Sequence, residues 1–228
     1  MGWRNEVHSK VVPYNKALVL DFGGVISRSP FETHAETEKA LGIAAGTLTW
    51  RGPFEPRADT LWQLALANEI TKREYWLTRV REVGELAGET WNSMSEFLRA
   101  ARSEHPEEII RPEFLDIFRR AKTAGIGTAI LSNELDLFYG PEVRQKLDFI
   151  ADFDVIHDAT YSDVVKPAEL AFTRLQHDLG VAANDCVYVD YQKINVDAAN
   201  NVGMQTVLFD VRRPQASFDR AAELLGIA

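Results

Sequence analysis

Short apolar runs along the chain predict the strands of a β-sheet. Four runs are clear, and they cover residues 17–22, 127–131, 187–190 and 206–209. A shorter run at residues 154–156 is a candidate fifth strand. The runs are continuous rather than alternating with polar residues, which is typical of parallel strands that are covered on both faces. The pattern therefore predicts a buried parallel sheet.

Helical patterns lie between these runs. Three helical patterns stop before a glycine, and two of these begin with a proline. Glycine and proline at these positions are common signals of helix ends and helix starts. The three patterns cover residues 112–124, 167–179 and 195–202. Strands that alternate with such helices predict βαβ units with right-handed crossovers, and hence an α/β fold.

One long stretch after the first strand breaks this alternation. It contains four helical patterns, at residues 31–41, 57–67, 72–86 and 91–101. A connection of about 75 residues is long for an ordinary crossover. It is therefore predicted to form an inserted helical domain of residues 31–106, with residues 1–30 and 107–228 forming the core. The alternative is that these helices pack on the sheet as crossovers.

Aromatic residues are frequent in the predicted insertion, and most of them are interpreted as packing between its helices. The sequence from Trp50 to Phe54 instead reads as a loop. If this loop reaches the active site, Arg51 or Arg57 could meet an anionic substrate. Exposed aromatic residues in this region would also permit a homodimer.

Composition and charge limit the partners and the compartment. The formal net charge is −9, so neither nucleic acid nor an anionic membrane is expected as a partner. The single cysteine, Cys186, allows no intrachain disulfide and is interpreted as a core residue, which indicates a reducing compartment. The first ten residues are polar, and no apolar run approaches the ~18 residues of a membrane span. A cytoplasmic protein is predicted.

Polar residues stand at the ends of the predicted strands, where open α/β sheets bind ligands. Those that stand out are Asp21, Ser132, Asn133, Lys166 and Asp190. Each of them alone is an ordinary turn or cap residue. Their occurrence at successive strand ends favours a common site.

These residue types suit a reaction at a carboxylate. Asp21 and Asp190 would lie side by side, and Mg²⁺ between them would relieve their repulsion, since it prefers oxygen ligands. The ammonium of Lys166 could pair with Asp21 and neutralise a bound anion. Ser132 and Asn133 could donate hydrogen bonds to substrate oxygens. Such a carboxylate can accept a phosphoryl group, giving an aspartyl-phosphate that water then opens.

Four short sequences resemble, in the same order, the four motifs of the haloacid dehalogenase superfamily. They are DFGGV around Asp21, LSN ending at Asn133, Lys166-Pro167, and VYVD ending at Asp190. The resemblance spans residues 17 to about 210 and is strongest in the ordered set. It implies a Rossmann-like parallel-sheet core with a helical cap inserted after the first motif. The cap pattern is most similar to the branch that contains the N-terminal domain of soluble epoxide hydrolase and related sugar phosphatases.

The resemblance also implies roles for individual residues. Asp21 would be the nucleophile and Lys166 its catalytic partner. Mg²⁺ would be bound by Asp21, by Asp190 and by the backbone carbonyl of Gly23. The adjacent Gly24 would let the backbone approach the substrate closely.

The chain departs from the family pattern at two positions. Phosphatases of the family usually carry a second Asp, a general acid and base, where this chain has Gly23. Many also carry a second Asp in the fourth motif, where this chain has Tyr191. Because acid–base help contributes roughly 10²–10⁴-fold, turnover could be slow or limited to good leaving groups. Glu134, His34 and Tyr191 are candidate replacements.

The leading interpretation is Mg²⁺-dependent hydrolysis of a small phosphomonoester. One alternative is hydrolysis of a carbon–halogen bond by the same Asp21 without a metal. A third is a binding or interaction protein that has kept the pocket but lost turnover. Dependence on Mg²⁺ separates the first two interpretations, and binding of a phosphate analogue without turnover would favour the third.

Overall fold

The computed structural model describes residues 6–7, 14–102 and 106–228. Its sheet has six strands in the order β1-β4-β3-β2-β5-β6. The strands are β1 (Glu6–Val7), β2 (Ala17–Leu20), β3 (Gly127–Ser132), β4 (Val155–Asp158), β5 (Cys186–Asp190) and β6 (Gln205–Leu208). Strands β2 to β6 are parallel, and β1 pairs antiparallel with β4. The predicted α/β fold with a parallel sheet is confirmed.

The central strand β2 shows why the apolar runs are continuous. All four of its residues are completely buried, because β3 and β5 pair with it on either side and helices cover its faces. The strand ends at Leu20 rather than at the predicted residue 22. The backbone N–H of Asp21 still donates to the carbonyl of Val189 at 3.0 Å, so Asp21 lies at the point where the chain leaves the sheet.

Nine α-helices occur in the part of the chain that the structure describes. They are α1 (His34–Leu41), α2 (Thr60–Leu66), α3 (Lys72–Ala87), α4 (Met94–Arg102), α5 (Pro112–Thr123), α6 (Leu135–Gln145), α7 (Glu169–Leu179), α8 (Lys193–Asn201) and α9 (Pro214–Leu225). Helix α6 is interrupted at Gly140, whose φ of 73° and ψ of 155° are not helical. Helix α7 begins two residues after Pro167, so Lys166 lies in the turn that precedes it. None of the described helices is both long and apolar enough to cross a bilayer.

Contacts within the chain divide it into two compact units. The first consists of the residues up to Arg28 together with Glu108–Leu135 and Leu147–Ala228, and it contains the sheet. The second consists of Ser29–Glu107 and Asp136–Lys146. The predicted insertion, residues 31–106, did not include residues 136–146, and its identity as a cap domain stays a prediction.

The second unit has an aromatic core centred on Phe31. The ring of Phe31 lies 4.9–6.1 Å from five other aromatic rings, which belong to Trp50, Phe54, Trp62, Tyr75 and Trp76. Asp59 is buried beside them and accepts hydrogen bonds from the Tyr75 hydroxyl at 2.7 Å and from Arg79 at 2.7 Å. Trp50 therefore belongs to the packing of this unit. Whether the adjacent Arg51 meets a substrate stays a prediction.

Candidate active site

The carboxyl ends of three neighbouring strands bring the predicted residues together. Asp21 follows β2, Ser132 ends β3 and Asp190 ends β5. Strand β2 lies between β3 and β5, with Leu20 opposite Val189 in the β2–β5 pair. The register therefore places the carboxylates of Asp21 and Asp190 at the same edge of the sheet.

Lys166 bridges these two carboxylates. Its Nζ donates to Oδ1 of Asp21 at 2.8 Å and to Oδ2 of Asp190 at 3.0 Å. The lysine side chain is only 2% exposed. Asn133 fixes the backbone of Lys166, since its Oδ1 accepts from the Lys166 N–H at 2.7 Å and its Nδ2 donates to the Lys166 carbonyl at 3.0 Å. Asn133 is thus a positioning residue, and its predicted contact with the substrate stays a prediction.

Asp190 is held by four donors and has no exposed surface. Its Oδ1 accepts from the backbone N–H of Gln192 at 2.7 Å. Its Oδ2 accepts from Lys166, from the Tyr188 hydroxyl at 2.5 Å and from Asn195 Nδ2 at 2.9 Å. Tyr188 and Asn195 were not among the residues predicted from the sequence. Alternation along β5 was the available signal for Tyr188, because residues two apart in a strand point to the same face.

The loop after Asp21 is held by an arginine that the sequence analysis did not identify. Arg111 is buried, and its guanidinium donates to the carbonyl of Gly24 at 3.1 Å. Its backbone N–H donates to the carbonyl of Ile26 at 3.0 Å. Gly24 has a φ of 88°, and a Cβ there would lie 2.9 Å from the ring of Tyr191. Gly24 is therefore required for the close packing of this loop, and its predicted substrate contact stays a prediction.

Gly23 differs from Gly24 in both conformation and surroundings. Its φ lies outside the left-handed region, and a Cβ built on it meets no described atom within 4 Å. A Cβ at this position therefore requires neither a backbone change nor the displacement of a neighbour. Nearby, Ser132 is 6% exposed, and its Oγ accepts weakly from the N–H of Glu134 at 3.4 Å.

A family model for haloacid dehalogenase-like hydrolases matches residues 5–203. The chain belongs to this family. The match spans all four of the sequence motifs that pointed to it, and the predicted superfamily is confirmed. The narrower similarity to the epoxide hydrolase branch stays a prediction.

Solved structures of other proteins share the fold. β-Phosphoglucomutase from Clostridium difficile is 17% identical, and the alignment covers 92% of this chain and 97% of that chain with a TM-score of 0.54. A family enzyme from Bacteroides thetaiotaomicron, solved in complex with magnesium and inorganic phosphate, is 20% identical, with coverages of 86% and 94% and a TM-score of 0.51. At these identities the likeness shows the fold alone. No curated protein sequence matches the chain significantly.

The magnesium ligands that the family resemblance implied do not all fit this arrangement. Mg²⁺ requires about six oxygens near 2.1 Å. Asp21 and the carbonyl of Gly23 are suitable donor types, but both oxygens of Asp190 are engaged by buried donors. Asp190 also has no exposed surface, so it does not fit the role of a direct ligand without a rearrangement of these contacts.

Burial and charge set the protonation states at the site. Burial raises the pKa of Asp21 to about 6; the charge of Lys166 opposes this increase, and that of Asp190 adds to it. Burial alone would lower the pKa of Lys166, but the carboxylates of Asp190 and Asp21 outweigh it and raise the pKa above its usual value. Burial, together with Asp190, raises the pKa of Tyr188 well above its usual range. Lys166 is therefore a permanent cation, Tyr188 is a neutral donor, and Asp21 ionises just below neutral pH.

His34 is the one acid–base candidate that lies in the second unit. Its ring packs against Trp50 with a centroid distance of 4.3 Å. Burial is the main cause that lowers the pKa of His34 to about 4, and the positive charge of Arg51 also lowers it. His34 is therefore neutral at physiological pH. The roles of Glu134 and Tyr191 as alternative acid–base groups stay predictions.

Proposed function

We propose that the chain hydrolyses a small phosphomonoester through an aspartyl-phosphate formed on Asp21. The observation that carries the proposal is the buried ion pair between Asp21 and Lys166, at 2.8 Å, at the carboxyl edge of a parallel sheet. A buried carboxylate with a pKa raised to about 6 is ionised at neutral pH but poorly solvated. Such a group is well suited to attack an electrophile.

The proposed reaction has two steps. An oxygen of Asp21 attacks phosphorus, the ester P–O bond breaks, and the alcohol leaves with a proton taken from the monoanionic phosphoryl group or from water. Water then attacks the phosphorus of the aspartyl-phosphate and breaks the bond to Asp21, which releases phosphate and restores the carboxylate. Lys166 keeps its proton throughout, and its charge limits the repulsion between Asp21 and the incoming anion.

The missing carboxylate at position 23 shapes the expected substrate range. No side chain at Gly23 can protonate the leaving alkoxide. Leaving groups that depart without help should therefore react faster, so an aryl phosphate should be a better substrate than an alkyl phosphate. Phosphate esters are the first class to test, because the relatives of similar fold include a phosphoglucomutase and an enzyme crystallised with phosphate.

A panel of phosphate esters, each assayed with Mg²⁺ and with EDTA, tests the proposal. We expect release of phosphate from an aryl phosphate by the wild-type protein and none by Asp21→Asn, which is nearly isosteric but cannot attack. The matched control is Asp197→Asn, which removes an exposed carboxylate from α8. Retention of more than a few per cent of activity in Asp21→Asn, measured against the control, would contradict the nucleophilic role.

A second candidate is hydrolysis of a carbon–halogen bond by Asp21. The burial of Asp190 and its four hydrogen bonds favour it, because this reaction takes place at carbon and needs no divalent cation. Halide release from short 2-haloacids, absent in Asp21→Asn, would support this candidate in place of phosphate release. Binding of a phosphate analogue with no turnover of either substrate class would instead indicate a non-catalytic binding protein.

A further inference from the structure

We propose that Lys166 occupies the place of the divalent cation in this site, so that the protein binds no Mg²⁺ between Asp21 and Asp190 and needs none for turnover. The inference deepens the proposed function and rests on it for the reaction catalysed. It contradicts the magnesium dependence that the family resemblance implied. Its basis is the set of contacts around Asp190 and the position of the lysine ammonium.

Both oxygens of Asp190 already accept hydrogen bonds, and the residue has no exposed surface. Its four donors are the ammonium of Lys166, the hydroxyl of Tyr188, the amide of Asn195 and the backbone N–H of Gln192. The first three side chains are themselves buried, with residue exposures of 4%, 0% and 2%. Oδ1 accepts only from Gln192, but Asp190 has no exposed surface through which a metal could reach it. A metal on Oδ2 would have to displace at least one of the other three donors. The displaced group would then be left buried without a partner, which is a costly state.

The ammonium also occupies a bridging position between the two carboxylates. Lys166 Nζ lies within 3.0 Å of one oxygen of each carboxylate, so it already relieves their mutual repulsion. A doubly charged ion that bridged the same carboxylates would lie a few ångströms from a permanent cation, at a place with almost no solvent to screen the two. Lys166 therefore already supplies, between the carboxylates of Asp21 and Asp190, the positive charge that a bridging metal ion would supply.

The resident cation also sets the charge of the site. Two carboxylates and one ammonium leave a net charge of −1, whereas an added divalent ion would make it +1. A singly charged electrophile is therefore favoured over a dianion. A phosphomonoester monoanion meets this condition and carries a proton for the leaving oxygen, which Gly23 cannot supply.

Electron paramagnetic resonance of Mn²⁺ measures cation binding without reference to activity. We expect the wild-type protein to leave Mn²⁺ free at roughly millimolar concentration, and we expect turnover to be unchanged by EDTA. Lys166→Met exposes two unneutralised carboxylates and should bind Mn²⁺ at least about tenfold more tightly than the wild type. Lys193→Met is the matched control, because Lys193 is an exposed lysine paired with Asp197, and it should bind no more Mn²⁺ than the wild type.

Stoichiometric Mn²⁺ binding by the wild type that is lost in Asp190→Asn would overturn the inference. A folded Lys166→Met protein with no gain in affinity would also overturn it. If Lys166→Met does not fold, Mn²⁺ titrations of the wild type and of Asp190→Asn still test the inference. Absence of phosphate release together with absence of Mn²⁺ binding would refute the proposed function alone, whereas EDTA-sensitive release with bound Mn²⁺ would refute this inference alone.

Discussion

Replacing Asp21 by Asn should stabilise the folded protein at neutral pH. Burial raises the pKa of Asp21 to about 6 in the folded chain, whereas an unfolded Asp titrates near ~3.9. The folded state therefore holds the proton more tightly, so the stabilising contribution is present below the unfolded pKa and is lost as pH rises through about 6. A difference of about two pKa units corresponds to about 3 kcal/mol in the free energy of unfolding. Asn resembles the protonated carboxyl and does not titrate.

Urea unfolding of the wild type and of Asp21→Asn between pH 4 and 8, in the presence of EDTA, measures this difference. At pH 4 the two proteins should have similar stability. By pH 7 the variant should be more stable by about 3 kcal/mol, equivalent to a rise in Tm of roughly 6 °C or more for a chain of this size. The exposed Asp197→Asn control should stay within about 0.5 kcal/mol of the wild type throughout. A difference that is constant with pH, or that shrinks as pH rises, would show that the buried charge of Asp21 does not destabilise the fold.

Three further predictions follow from the site. Gly23→Asp should fold normally, since a Cβ there meets no described atom within 4 Å, and it should raise alkyl phosphate hydrolysis by up to roughly 10²-fold; a folded variant with no gain would mean that another group already supplies the proton. The rate of phosphate release should peak near pH 6. Below this pH Asp21, with a pKa of about 6, is protonated and cannot attack, and above it the substrate monoanion is lost through its second ionisation, with a pKa of about 6. A rate that keeps rising to pH 8 would exclude the monoanion as the substrate form. Asn195→Ala should lower the free energy of unfolding by about 1–3 kcal/mol in chemical denaturation, because a buried oxygen of Asp190 loses a donor; an unchanged stability would mean that this contact contributes nothing.

The sheet could be predicted because its strands are buried on both faces. Strand β2 is apolar at every position, so its pattern can be recognised in the sequence without knowing which helices cover the strand. Strand β1 has only two residues, Glu6 and Val7, and its antiparallel pairing with β4 depends on tertiary contact rather than on local pattern. The same holds for residues 136–146, which contacts place in the second unit although they follow a core strand in the sequence.

The acidic site was predictable in outline but not in its hydrogen bonding. Strand ends of a parallel sheet converge, so the proximity of Asp21, Lys166 and Asp190 follows from their order in the chain. The donors around Asp190 depend on the register of β5 and on the first turn of α8, and the sequence specifies neither directly. Arg111 gave no signal at all, because an arginine before Pro112 reads simply as the start of a helix.

Trapping the covalent intermediate tests the central claim most directly. The wild-type protein is mixed with an aryl phosphate, quenched in acid during turnover and digested, and the peptide that contains residue 21 is analysed by mass spectrometry. We expect a phosphorylated Asp21 that is absent from the Asp21→Asn variant. Turnover with no modified peptide, or with the phosphoryl group on another residue, would contradict it.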